Sequence, residues 1–360
     1  MEKLKRSVYI LLIISLSVCI LYVAREFLIP IALAGVLAML FIKFCNILER
    51  KGIGRGFSVF ISVFILIIGF GILVFLLSWQ LSGLTENLES MKERATSFFQ
   101  NFKQWLNKSV GISSTQQEKI IEQQGQGGPG QAGSMLSGFI SGVFGIAINT
   151  LLVLVYLFLF LFYRSRIKNF ILKLVPSENE ARASEIISKS TLVSQQYLGG
   201  LAMMIVMLWV MYGIGFTLVG VEHALFFAIL CGVLEIIPFV GNITGTSITL
   251  LAVLAQGGQS ETIIGVIIIY MVVQFIQTYL IEPLVVGDQV NINPLFTIMI
   301  LVAGELVWGI AGMVLAIPLL GIVKIICDHI PELKPFGYLI GAEKKQKKGM
   351  LDKIKSLVKR

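Results

Sequence analysis

The sequence predicts an all-α, polytopic membrane protein with about eight transmembrane spans. Hydrophobic residues make up 56% of the 360-residue chain and charged residues only 14%, whereas soluble domains carry about 25% charged residues. The mean hydropathy is +0.86, and the apolar residues fall into separate runs long enough to enter or cross a bilayer. This composition excludes an ordinary soluble enzyme, a disordered chain and a small disulfide-bonded scaffold.

Six apolar runs fit simple spans. The first, 7–24, resembles a signal peptide, but Tyr22 stands where a small residue would be needed before Ala24. It is therefore predicted to be a retained span rather than a cleaved leader. The other five predicted spans are 27–42, 57–79, 135–163, 199–219 and 262–281.

Two apolar stretches, 222–255 and 294–326, are too long for one simple span each. Each has about 33 residues and would be about 50 Å long as a straight helix, against a hydrocarbon core of about 30 Å. Each has a helix-breaking centre, P-F-V-G-N at 238–242 and G-I-A-G at 309–312. Each is predicted to be either a tilted, broken helix or a re-entrant hairpin, and both forms need protein or a water-filled cavity around the bent backbone.

The basic residues predict the orientation. With the N-terminus inside, the inner segments contain 23 of the 29 lysines and arginines, as the positive-inside rule requires. The prediction is a multi-pass protein of the bacterial cytoplasmic membrane with both termini cytoplasmic. Its predicted parts are the N-terminal spans (1–80), a soluble extracytoplasmic helical insertion and linker (81–134), a fourth span with a cytoplasmic amphipathic segment (135–198), a motif-rich transport core (199–327) and a basic cytoplasmic tail (328–360).

The insertion contains a heptad pattern. Eight apolar positions from Leu81 to Trp105 are spaced alternately by three and four residues, which predicts a helix with one apolar seam. The seam packs either on another subunit, giving a homo-oligomer, or on its own subunit. Both alternatives stay open at this stage.

No catalytic or cofactor motif is present in the sequence. It has no G-x-x-x-x-G-K-[ST], H-E-x-x-H or G-x-S-x-G pattern, so no P-loop, zinc protease or serine hydrolase is predicted. Two histidines, and four cysteines without a C-x-x-C pair, argue against a metal site. The net charge of +8 is explained by the inner segments, so no nucleic-acid partner is predicted. The protein is predicted to be no enzyme and to need no cofactor.

Two carboxylates lie inside the long apolar stretches. Glu235 comes three residues before Pro238, and Glu305 comes four residues before Gly309. Because burying a carboxylate in a membrane costs several kcal/mol, such residues usually face a cavity or a partner. The alternative is that each hydrogen-bonds a neighbouring helix or lies near the headgroups.

The two stretches form a weak internal repeat. Glu235 and Glu305 are 70 residues apart, and Gly241 and Gly312 are 71 apart. Paired interrupted helices indicate a transporter site, because open helix ends offer N–H and C=O groups to a substrate or ion. Gln274 and Gln277 share one helix face and either line a path or hold helices together. The candidate substrate or ion-translocation residues are Glu235, Pro238, Gly241, Asn242, Glu305, Gly309, Gly312, Gln274, Gln277, Asn291, Asn293 and Pro294.

Four motifs of the C-terminal third resemble the autoinducer-2 exporter family, also called PerM-like permeases. They are E-I-I-P-F-V-G-N at 235–242, E-P-L-V-V-G at 282–287, N-P-L-F at 293–296 and G-I-A-G-M-V-L-A-I-P-L at 309–319. The resemblance implies a secondary transporter, with export of a small polar signal molecule in some members and sodium or lithium/proton antiport in others. It also implies oligomers in which a mobile part moves against a scaffold. Asp288, Gln289 and the N-I-N-P sequence at 291–294 depart from the family pattern.

These observations predict a gradient-driven membrane transporter that exports a small polar solute or signal molecule such as autoinducer-2. Two alternatives remain, a sodium or lithium/proton antiporter and a non-transporting oligomeric membrane scaffold. The expected partners are the lipid bilayer, a small-molecule or ion substrate and further copies of the chain.

Overall fold

A computed structural model describes residues 2–85, 131–237, 240–286 and 291–342, and these residues are almost entirely helical. Within these ranges there is no β-strand, and one isolated bridge joins Ile292 to Gly341. The helices are α1 (Glu2–Val23), α2 (Arg25–Arg50), α3 (Arg55–Thr85), α4 (Gln131–Lys173), α5 (Glu180–Leu218), α6 (Ala224–Leu234), α7 (Val240–Ala255), α8 (Ser260–Ile276), α9 (Pro294–His329) and α10 (Lys334–Ile340). A π-helix (Gln277–Val286) continues α8, and short 3-10 helices (Ser177–Asn179 and Pro331–Leu333) precede α5 and α10.

The helices have the length and apolar character of membrane spans. Six stretches among the described residues, in α2, α3, α4, α5, α8 and α9, are long and apolar enough to cross a bilayer, and shorter apolar segments lie in α1, α6 and α7. Large apolar side chains such as Phe64, Ile68 and Phe75 of α3 are exposed. A soluble monomer rarely leaves such continuous apolar surface in water. The prediction of an all-α, polytopic membrane protein is confirmed.

The first three long helices share one core, and we call α2, α3 and α4 the N-terminal bundle. Small side chains of α2, Ala34 and Ala38, are buried against Val59 of α3 and Leu157 of α4. The small side chains at these two positions let α3 and α4 approach α2 closely. Arg164, near the end of α4, donates to Glu49 of α2 at 2.6 Å and closes one end of the bundle.

A second core lies among α5, α6, α7 and α8, which we call the C-terminal bundle. Tyr212, Phe216 and Phe227 are at most 1% exposed at its centre. Because aromatic side chains bury the most apolar area per residue, they stabilise this contact between α5 and α6 most strongly. The centre of the C-terminal bundle is therefore aromatic, whereas the fully buried residues of the N-terminal bundle are aliphatic side chains and one cysteine.

Helix α9 joins the two bundles, since it packs on both α5 and α2. A direct bond between the bundles runs from Gln195 of α5, whose Nε2 donates to the carbonyl oxygen of Met39 at 2.8 Å. At the end of α9, His329 Nε2 lies 3.1 Å from Lys189 Nζ of α5. The N-terminal half of α5 is thus fixed on one side to α2 and on another to α9.

The stretch 222–255 folds into an antiparallel hairpin of α6 and α7, which we call the first hairpin. A Cβ atom on Gly245 of α7 would lie 3.0 Å from Cys231 Cα of α6, and one on Gly241 would overlap the carbonyl of Leu234. The arms meet this closely because glycine has no side chain at these points. The tip of the hairpin lies between Leu234 and Val240.

The stretch 294–326 is also a hairpin, the second hairpin, folded within α9. Gly309 has φ 59° and ψ −141°, a conformation that is essentially restricted to glycine. The chain reverses there, because a Cβ atom on Gly304 would lie only 2.6 Å from the carbonyl oxygen of Gly312. Of the two forms that the sequence allowed for each long stretch, the structure has the hairpin form in both.

The helix that contains the predicted fourth span continues beyond it at both ends. Helix α4 begins at Gln131, so the last four residues of the predicted linker, 131–134, are helical. In the predicted cytoplasmic amphipathic segment, which follows the fourth span from residue 164 to 198, α4 continues to Lys173 and α5 begins at Glu180. The heptad prediction beyond Thr85 lies outside the described residues.

Candidate functional site

The site is built around Glu235 at the tip of the first hairpin. Glu235 follows the last residue of α6, and its backbone N–H donates to the carbonyl oxygen of Cys231 at 3.1 Å. The side chain is only 7% exposed. A carboxylate this buried destabilises the fold unless other groups donate hydrogen bonds to it. The role of Glu235 therefore depends on the residues that surround it.

The π-helix places a donor beside this carboxylate. Gln277, its first residue, is 4% exposed and donates through Nε2 to Glu235 Oε1 at 2.6 Å. The wider π-turn coincides with Pro283, which lacks an N–H and cannot continue the α-helical hydrogen-bond pattern. Such π-turns inside helices frequently occur at functional sites.

Asn242, in the first turn of α7, extends the network. Its Nδ2 donates to Gln277 Oε1 at 3.4 Å and also to Gln274 Oε1. Its Oδ1 accepts from the Tyr212 hydroxyl at 3.0 Å. Asn242 thereby connects α5, the first hairpin and α8 through side-chain atoms alone.

The network continues from the buried carboxylate to the protein surface. Gln274 Nε2 donates to Thr278 Oγ1 at 3.1 Å. Gln274 is half-buried and Thr278 is exposed, while Glu235, Asn242 and Gln277 are buried. We call these five residues with Tyr212 the polar chain. It offers a hydrogen-bonded path between the tip of the first hairpin and the exposed face of the π-helix.

The chemistry of the polar chain suits a proton, a cation or a small polar solute. It has one ionisable carboxyl group, three primary amides that both donate and accept, and two hydroxyls. Among the described residues, no group of three histidine, cysteine, aspartate or glutamate side chains has the arrangement of a metal site. The four cysteines are free thiols.

The structure brings together five of the residues that the sequence singled out. Glu235, Asn242, Gln274 and Gln277 form hydrogen bonds with one another, and Gly241 forms the close contact at the tip of the same hairpin. Pro238, in the same motif, lies outside the described residues. Gln274 and Gln277 follow Glu235 and Asn242 by 32 to 42 residues, but the fold places the two pairs side by side.

The residues of the second hairpin do not join this network. Glu305 is exposed on the first arm of α9, while Gly309 and Gly312 shape its turn. This hairpin packs on α5 and α2 instead of on α6 or α8. The sequence repeat therefore corresponds to a repeated hairpin shape, whereas only the first copy has its carboxylate in a buried network.

The three remaining candidates, Asn291, Asn293 and Pro294, lie at or just before the start of α9. Asn293 caps α9, because its side-chain oxygen accepts from the Leu295 N–H at 3.0 Å. Pro294 occupies the first position of the helix, where its missing N–H costs nothing. The backbone N–H of Ala342 donates to the carbonyl oxygen of Asn291 at 3.0 Å, which ties this loop to the end of α10.

Two members of the polar chain, Tyr212 and Thr278, were not singled out from the sequence. Tyr212 lies within the apolar run 199–219. A tyrosine in such a run has a hydroxyl that needs a hydrogen-bond partner when buried. This requirement was the sequence feature that could have identified Tyr212. Thr278 carried no comparable signal, because a single threonine beside a glutamine is common on helix surfaces.

The spans and the two hairpins define a multi-pass helical membrane protein. The chain belongs to the AI-2E transporter family, because the profile of the AI-2E family transporter matches residues 11–332. The match covers both bundles and the second hairpin, and it confirms the family that the four sequence motifs indicated.

Individual relatives agree with this membership. The candidate transport protein YueF of Bacillus subtilis is 25% identical over 339 residues, which cover 88% of this chain and 89% of YueF. A candidate transport protein of Mycobacterium tuberculosis, MT0215, is 24% identical and covers 86% of this chain and 85% of its own length. The candidate permease PerM of Escherichia coli is 22% identical over 53% of this chain and 54% of PerM.

Proposed function

We propose that the protein is a gradient-driven membrane transporter, not an enzyme, that exports a small polar solute through the C-terminal bundle. The observation that carries the proposal is the polar chain, which connects buried Glu235 to exposed Thr278 through amide and hydroxyl groups. Groups that both donate and accept hydrogen bonds replace the water shell of a hydroxylated or carbonyl-bearing solute as it enters the protein. A signal molecule such as autoinducer-2 belongs to this class of solute.

Glu235 is the group that we propose to couple transport to an ion gradient. A carboxyl group among amide groups is stable with a bound proton, and it is also stable when a bound cation balances its charge. A proton gradient would drive the solute where the proton and the solute bind at this group in turn. Exchange of the proton for a cation supports the second candidate function, sodium or lithium/proton antiport, in which the cation itself is the substrate.

The test is transport by purified protein in liposomes under an imposed pH gradient, with Glu235→Gln as the variant. The amide keeps the size of the side chain but can neither release a proton nor balance a cation. We expect proton-coupled solute flux to fall by at least about 100-fold, the effect typical of removing a group that transfers protons. If sodium or lithium alone dissipates the pH gradient in the wild-type protein, antiport is the function.

Glu305→Gln is the matched control, because Glu305 lies at the corresponding place in the repeat but is exposed on α9. We expect it to retain most of the flux. Equal coupled transport in the wild-type protein and in Glu235→Gln would remove the polar chain from the mechanism. Absence of flux for every solute and cation tried would instead favour a membrane scaffold.

We further propose that the protein is a homo-oligomer in a bacterial cytoplasmic membrane, with both termini cytoplasmic. The distribution of lysine and arginine supports the orientation. The contact between Arg164 and Glu49 also supports it, because it joins two segments that the charge rule assigns to the same side. Accessibility of single cysteines in the loop 51–54 and in the segment 174–179 to an impermeant thiol reagent tests the orientation in whole cells.

A further inference from the structure

A cavity of about 770 Å³ lies between the N-terminal bundle and the tip of the second hairpin. Leu33 of α2, Gly71 of α3 and Leu154 of α4 line its walls, and Trp308 and Gly309 of the second hairpin line another side. The cavity has the size of a small-molecule site. Its lining is almost entirely apolar, so it does not suit the polar solute proposed for the C-terminal bundle.

One part of the cavity lining is charged. Arg25 and Glu26, at the start of α2, belong to it and are both exposed. Neither forms an ion pair with another residue of the described part of the chain. The Arg25 guanidinium lies 5.2 Å from the centre of the Tyr22 ring. Because these charges lie between the apolar runs 7–24 and 27–42, they belong at a membrane surface, where lipid headgroups lie.

We propose that this cavity binds one phospholipid with a zwitterionic, ammonium-bearing headgroup, such as phosphatidylethanolamine. An acyl chain occupies the apolar cavity against Leu33, Gly71 and Leu154. Arg25 binds the phosphate and Glu26 binds the ammonium group. A headgroup with both signs matches the two adjacent opposite charges, whereas a purely anionic headgroup would meet the Glu26 carboxylate.

The bound lipid would contact the second hairpin directly. Trp308 lines the cavity, and its Nε1 donates to the carbonyl oxygen of Leu21 at 2.9 Å, which holds the indole ring in place. The lipid therefore fills the space between the N-terminal bundle and the hairpin tip. Trp308 is also a built-in fluorescent reporter of the cavity.

The first experiment measures quenching of Trp308 by phospholipids with brominated acyl chains, added to the purified full-length protein in detergent. The chain has four tryptophans, so the Trp308 signal is taken as the difference between the wild-type protein and Trp308→Phe. We expect saturable quenching of that signal by brominated phosphatidylethanolamine. We expect brominated phosphatidylglycerol to bind about tenfold more weakly, the effect of one unfavourable charge contact.

A pair of glycine variants tests the location. Gly71 lines the cavity and Gly69 does not, and a Cβ atom at either position would have no neighbour within 4 Å. Gly71→Phe fills the cavity and should lower phosphatidylethanolamine binding by at least about tenfold. Gly69→Phe places the same ring on the outer face of α3 and should bind as the wild-type protein does.

The variant Arg25→Gln/Glu26→Gln tests the headgroup, and it should bind both lipids with the same affinity. Native mass spectrometry gives a second measurement that does not depend on fluorescence, with one phosphatidylethanolamine expected per chain. Quenching that never saturates, or that is unchanged in Gly71→Phe, would overturn the proposal. So would filling of the cavity by another part of the chain or by a second copy, because labelled lipid would then not reach Trp308.

Discussion

Glu235 and Gln277 illustrate how a buried charge is tolerated inside an apolar bundle. The carboxylate is 7% exposed, and Gln277 donates to it at 2.6 Å. Removing only the donor leaves a buried acceptor without a hydrogen bond, which lowers the free energy of unfolding by the full desolvation penalty of that group. Replacing both partners with apolar groups changes the free energy of unfolding little. The pair is therefore best examined by changing its members singly and together.

The residue-scale prediction concerns Gln277→Leu. The change leaves Glu235 without this amide donor, while Asn242 keeps its bond to Gln274. We expect the free energy of unfolding to fall by about 1–3 kcal/mol. The measurement is thermal unfolding of the purified protein in detergent, followed by circular dichroism.

The double variant Glu235→Leu/Gln277→Leu is the control for this prediction. With both polar groups absent, it should be closer in stability to the wild-type protein than Gln277→Leu is. If the double variant is as unstable as the single one, the effect of Gln277 does not pass through Glu235, and the hydrogen bond is energetically unimportant.

The hairpins show how glycine position determines the shape of a long apolar helix. In the second hairpin, Gly304 and Gly312 lie backbone against backbone, so neither accepts a side chain. In α3, by contrast, a Cβ atom on Gly69 would meet nothing within 4 Å. One residue type therefore serves a packing requirement at one site and is dispensable at another.

The element-scale prediction compares Gly312→Ala with Gly69→Ala. The methyl group at 312 overlaps the Gly304 carbonyl, and forcing the arms apart should cost about 1–3 kcal/mol. At 69 the same change should be neutral or should stabilise α3 by up to about 1 kcal/mol, because alanine favours helix. The measurement is thermal unfolding of both variants in detergent. Equal stability of the two variants would show that the arms of α9 are not in close contact.

Much of this element structure was predictable from the sequence. Pro238, Gly241, Gly309 and Gly312 marked both breaks, because proline and glycine interrupt helices for local reasons. The choice between broken span and hairpin was not predictable, because it depends on whether the two arms can pack, as Gly245 does against Cys231. Such contacts are a property of the folded chain.

The candidate site was predictable in its members but not in its arrangement. Polar residues in apolar runs identified Glu235, Asn242, Gln274 and Gln277 one by one. Their hydrogen bonds depend on how the tip of the first hairpin packs against the end of α8, which periodicity does not give. For the same reason the repeat could not show that Glu305 lies exposed on α9 while Glu235 is buried.

At the scale of the whole molecule, the two bundles have separate hydrophobic cores. The polar chain lies entirely in the C-terminal bundle. The contacts between the bundles include the Gln195 bond to Met39 at 2.8 Å and the packing of α9 on both α5 and α2. Separate hydrophobic cores are the arrangement in which relative motion of two parts of a chain is expected, and transport through one of the bundles would use such motion.

The whole-molecule prediction is that linking the bundles stops transport, whereas linking residues within one bundle does not. In a chain without its native cysteines, Met39→Cys/Gln195→Cys places two thiols across the interface between the bundles. Arg55→Cys/Ser165→Cys places two within the N-terminal bundle, where Arg55 Nη2 donates to Ser165 Oγ at 3.0 Å. After reaction with a short bifunctional thiol reagent, solute flux in liposomes should fall to the background of empty liposomes for the first pair and stay near the uncrosslinked rate for the second. Full flux through the first pair, with crosslinking verified by mass spectrometry, would mean that the bundles move as one body and that the transport step takes place within the C-terminal bundle.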